Sequence, residues 1–108
     1  EGAKGDEFSH LAAAYLGLGQ YQAAQTNLEK GLRLIEENDG HPIWHTFALM
    51  VKASLQSTQG EHKTAQKTLK KVLSIAQKHD LSVREEEIEF LLNKKASQIN
   101  VLDAVAVQ

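Results

Sequence analysis

The chain has no cysteine, which excludes disulfides and thiolate metal sites and leaves the redox compartment unconstrained. Its one proline is Pro42, and no stretch sustains the apolar-polar alternation of a strand, so the expected fold class is all-α. Charge of one sign is lacking too. The formal net charge is −2 with acidic and basic residues mixed, far from the positive footprint that a phosphate backbone demands. No nucleic-acid partner is expected. Apolar runs fall well short of the roughly 20 residues that cross a bilayer, and no basic, then apolar, then small-residue signal opens the chain. No membrane partner is expected, and the expected location is cytoplasmic. Gly17-Leu18-Gly19 lacks the strand and the third glycine of a phosphate loop and reads as a turn.

What the chain does have is self-similarity. Sliding it by 41 residues superimposes Ala12 on Ala53, Gly19 on Gly60, Ala24 on Ala65, Leu28 on Leu69, Leu32 on Leu73 and Asp39 on Asp80. Phe8, Leu49 and Phe90 fall on the same grid. Such a period marks units that cannot bury their apolar faces alone and must stack on neighbours. The 108 residues are expected to form a single repeat domain, with units at about 6–40 and 42–81, a fifth helix at about 82–99 and an apolar tail at 100–108. A start at Glu1 without Met suggests part of a longer array.

Within each unit, apolar residues recur at three and four, the spacing of one helical face. Asp6 is the expected cap of a first helix to about Leu18, with Phe8, Leu11, Ala12, Tyr15 and Leu16 inward. Helices at about 20–37, 42–59 and 61–79 follow, the second and fourth turning Tyr21, Ala24, Leu28, Leu32 and Ile35, and Ala65, Leu69, Val72, Leu73 and Ala76, inward. Gly40 suits the left-handed residue after a helix and Pro42 the first turn of the next. Ser82 and Glu85 form a capping-box pattern for a fifth helix reaching at least Lys95, with Glu85, Glu86 and Glu87 in its first turn. The apolar residues of the tail, Val101, Leu102, Val105 and Val107, fit either a further helix or a frayed end.

These residues resemble the tetratricopeptide repeat, whose pattern runs W-x2-L-G-x2-Y, then A-x3-F and a closing P. Phe8, Leu11, Ala12, Tyr15, Gly19, Tyr21, Ala24 and Leu28 stand for the first unit, and Leu49, Ala53, Gly60, Ala65 and Leu69 for the second. Lys52, Gln56 and His62 depart from the pattern, and Glu36 and Gln77 replace the closing proline, so the second helices run on and lengthen the period. The resemblance implies antiparallel helix-turn-helix units stacked in a right-handed superhelix, whose first helices line a concave groove for a peptide or helix. It implies a binding scaffold and no enzyme. At the positions where related scaffolds carry a carboxylate clamp, this chain has Ser9, Ala13, Val51, Ile88 and Leu92, so a clamp for C-terminal carboxylates is absent.

The expected groove is apolar, and its candidate partner-binding residues are Phe47, Met50, Val51, Ser54, Ile88, Leu91 and Leu92. An exposed patch of that kind marks a protein or peptide partner. A homo-oligomer, neighbouring repeats or the segment after Ile99 are the other covers it admits. An alternative function is an effector-sensing regulatory domain of a larger signalling or transcriptional protein, for which only Ser54, Ser57 and Thr58 offer a polar pocket. No cofactor is expected. His41 and His45 are four apart, but two imidazoles without a third ligand make no metal site, and His41 is explained as a helix cap. Lys63, Lys67, Lys70, Lys71 and Lys78 form a basic stripe that reads as a solvated face. Glu85 to Glu87 read as exposed, without the burial that tunes a catalytic acid.

Overall fold

The first four helices of the chain all end in one backbone motif. The computed structural model describes residues 3–106, and in it Gln20, Gly40, Glu61 and Leu81 each donate an N–H to the carbonyl five residues back, on Tyr15, Ile35, Gln56 and Ala76, at 2.8–2.9 Å. This is the bond of a Schellman turn, whose penultimate residue takes a left-handed conformation. Gly19 and Gly60 do so at φ 75° and 83°, and Asp39 and Asp80 at φ 49° and 55°. Gly40, the expected left-handed residue, instead follows Asp39, whose short polar side chain tolerates the conformation.

The helices so separated are α1 (Ala3–Gly17), α2 (Tyr21–Glu37), α3 (Pro42–Thr58), α4 (His62–Lys78) and α5 (Ser82–Leu92). A 3-10 turn at Ala96–Gln98 and a short helix α6 (Val101–Ala106) complete the chain. Tight turns make neighbours antiparallel: α1 pairs with α2 and α3 with α4, α2 and α1 join the pairs through α3, and α5 lies on α4 and α3. The described residues are helical throughout their regular structure, as stacked helix pairs.

Three local expectations are corrected. Asp6 lies inside the first turn of α1 rather than capping it, where its negative charge still suits the helix dipole. The capping box does not form, because Leu81 takes the cap position of α5 and no side chain caps it. The turn fixes that register, since Gln20 and Glu61 also cap one residue after a left-handed one. Finally, α5 stops at Leu92 and Lys95 is extended. Tertiary contacts made by the following segment override the helical propensity of Lys94 and Lys95.

The core runs along α3. Its buried residues include every position from Thr46 to Val51, so α3 has no solvent stripe there and must be enclosed on all sides. Small residues permit the crossings: Ala12, Ala24, Ala53, Ala65 and Ala76 are wholly buried. The closest approach joins α1 to α2, where a Cβ added at Gly31 would stand 2.9 Å from the carbonyl oxygen of Gly5 and 2.9 Å from Ser9 Oγ. Leu11 and Tyr21, expected inside, are nearly half exposed. The radius of gyration is 12.5 Å, close to the roughly 13 Å of a globular domain of this length. Among the described residues, no helix is long and apolar enough to cross a membrane.

Candidate functional site

The first helices of the units, α1, α3 and α5, form one layer, and the face they share is where the sequence places an exposed apolar groove. The structure corrects the exposure. Met50, Val51, Ser54, Ile88 and Leu91 are fully buried, Phe47 is 7% exposed and Leu92 is half-buried. The residues do come together, but on a layer that the chain's own segment occupies in part: α6 packs against α5, α3 and α1. Val101 and Ala104 are fully buried in that contact, and Ile99 nearly so.

Two serines of α3 hold the segment in place. Ser54 Oγ donates to the Met50 carbonyl at 2.9 Å and accepts the Val101 N–H at 2.8 Å. A helix leaves its first N–H groups without internal partners, so Ser54 satisfies one that would otherwise be buried and bare. Ser57 Oγ donates to the Ala96 carbonyl at 2.6 Å, fixing the 3-10 turn one helical turn further along α3. The next N–H of α6 is capped locally, Leu102 donating to Asn100 Oδ1 at 3.0 Å. Leu102 lies over Gly17, where an added Cβ would come within 2.7 Å of its Cδ1. The polar pocket considered for a small effector is thereby used up, since Thr58 Oγ1 bonds the Leu55 carbonyl.

At the other end of the same layer, Phe47 ties three helices together. The His10 ring of α1 stacks on it with centroids 4.6 Å apart, and the Arg84 guanidinium of α5 lies 5.6 Å from its centroid. Arg84 also donates through Nε to Thr46 Oγ1 at 3.1 Å, through Nη2 to the Ile43 carbonyl at 3.1 Å, and through Nη1 to Glu87. Glu87 is 4% exposed, which corrects the reading of Glu85 to Glu87 as uniformly solvent-facing. A buried carboxylate persists only when paired and hydrogen-bonded, and Arg84 does both. A pocket of about 410 Å³ opens beside this pair between Ile43, Leu81 and Val83. The sequence signal for the pair was available: Arg84 and Glu87 are three apart on one helical face.

His41 and His45 each have a partner within the chain. His41 caps α3, its Nδ1 accepting the Ile43 N–H at 3.1 Å, while His45 Nε2 lies 3.7 Å from Glu36 Oε2. Among the described residues, no group of three or more His, Cys, Asp or Glu could hold an ion. The basic stripe of α4, Lys63 to Lys78, is exposed.

The buried face could have been foreseen from one stretch. Phe47-Ala48-Leu49-Met50-Val51 is apolar on every side of a helix, and such a helix is buried all round rather than lining a one-sided groove. No curated protein and no solved structure gives a significant match to the chain. The family model described as tetratricopeptide repeat does match, over residues 8–78, the span of α1 to α4 whose stacked pairs and small-residue crossings have just been described, and the chain belongs to the tetratricopeptide repeat family.

Proposed function

We propose that this chain is a protein-interaction scaffold that takes a short apolar helix of a partner protein onto the face of α1, α3 and α5. The family is one of protein-interaction scaffolds, typically without catalysis, and the chain has no chemistry of its own in this reading. One observation carries it: a helix, α6, already sits on that face, with Val101 and Ala104 buried and its first N–H met by Ser54. A face that fits α6 fits a helix of the same chemistry, small or β-branched residues three apart behind a polar cap, and recognition of this kind is helix-in-groove. The candidate contacts remain Met50, Val51, Ser54, Ile88, Leu91 and Leu92, reached when α6 is out of the way, together with Phe47 at the far end of the layer between His10 and Arg84.

Selection of helical peptides from a random library on the full chain tests this. The expected winners carry an Asn or Ser cap followed by Val or Ala three residues apart, and they shift the amide resonances of Ser54, Met50 and Leu91. Winners that shift only the exposed lysines of α4 would place the interaction on the outer face and sink the proposal.

A further inference from the structure

We infer that the segment Ala96–Ala106 is a displaceable internal ligand, which holds the α1, α3 and α5 face closed and competes with the partner helix for it. The inference rests on the scaffold reading above and adds its regulation. Three features of the segment separate it from ordinary core. It is joined to α5 by Asn93, Lys94 and Lys95, outside the helices, so it can swing away without unwinding any of α1 to α5. Among the described side chains its attachment rests chiefly on Ile99, Val101 and Ala104, with Leu102 against Gly17, the 3-10 turn against α3 and α4, and hydroxyl bonds from Ser54 and Ser57. Against these contacts stands the conformational entropy lost in ordering the segment. Both serine hydroxyls belong to the receiving face and bond only backbone atoms of the segment, so any helix start offering an N–H satisfies Ser54 equally well.

Leaving the face bare is unfavourable, because the apolar surface that Ile99, Val101 and Ala104 bury would meet water. The segment therefore stays docked until an equivalent apolar helix replaces it. Occupancy then sets the partner's apparent affinity, which falls in proportion to the open fraction.

The probe is a fluorescent peptide with the sequence of residues 96–106, titrated into the full chain. In one variant, Val101→Asp, a carboxylate would have to enter the buried site, so the tail is released. In a second, Gly17→Cys with Leu102→Cys, a disulfide across the contact that Leu102 makes with Gly17 holds the tail down, and a reductant frees it. The Val101→Asp chain should bind the peptide at least about tenfold more tightly than the parent chain. The oxidised double-cysteine chain should not bind, and reduction should restore parental affinity.

Equal affinities in all three chains would show that the tail is no competitor, and would overturn this inference while leaving the scaffold reading standing. No binding by a folded Val101→Asp chain whose tail amides exchange freely would overturn the scaffold reading itself. A Val101→Asp chain that loses its helical circular dichroism, together with an oxidised double-cysteine chain that binds as well as the reduced one, would make the segment plain core and end the inference.

Discussion

Two glycines illustrate how differently one residue type serves this fold. At Gly60 a Cβ would meet nothing within 4 Å, so the only penalty on a side chain is the left-handed backbone at φ 83°. Gly60→Ala should cost about 1 kcal/mol, the penalty of that conformation. Gly31 is helical, and there alanine would gain up to about 1 kcal/mol of helix propensity. Its Cβ would however press on the Gly5 carbonyl at 2.9 Å and the Ser9 nitrogen at 3.2 Å, backbone atoms that cannot swing aside. Overpacking of that kind costs about 1–3 kcal/mol, so Gly31→Ala should destabilise despite the better helix former. Urea denaturation of both variants checks the pair, and a Gly31→Ala chain as stable as its parent would mean that α1 and α2 do not cross at Gly5.

At the scale of elements, most of what the sequence announces concerns the helices with one polar face. Ala24, Leu28 and Ile35 of α2, and Ala65, Leu69, Val72 and Ala76 of α4, are buried as their spacing requires. The limits of the sequence reading fall on α3 and α5, where side chains are apolar on several sides and periodicity cannot say which side faces a neighbour. The spacing reads Phe47, Met50 and Val51 as a one-sided lining and carries α5 on to Lys95. The two departures have separate sources: α3 is enclosed by α1, α2 and α4 as well as by α6, and α5 ends where the chain returns through Ala96–Gln98 to place α6 on the layer, a long-range event with no local signature. Ser54 and Ser57 bond residues 47 and 39 positions away, and nothing in their own helix foretells it. The outcome reverses one expectation. An exposed groove would let polar residues replace Met50 and Leu91 with little change in melting, but both are fully buried. Truncating either to Ala should cost about 2–5 kcal/mol, whereas Lys67→Ala on the exposed stripe of α4 should stay within about 0.5 kcal/mol. Thermal melts by circular dichroism separate these values easily, and a Met50→Ala chain that melts like its parent would return Met50 to the surface.

For the whole molecule, the α1, α3 and α5 face is closed where α6 docks on it. If α6 is an occupant rather than core, it must open by itself, with a free energy smaller than that of global unfolding. Native-state amide hydrogen exchange on the full chain measures this directly, because the N–H groups of Val101 and Leu102 are each held by one identified acceptor, Ser54 Oγ and Asn100 Oδ1. Both amides should be protected, yet should exchange through an opening at least about 2 kcal/mol easier than that of the core amides in α3. Exchange of Val101 only with global unfolding, at the same free energy as α3, would contradict the account and make α6 an inseparable part of the fold.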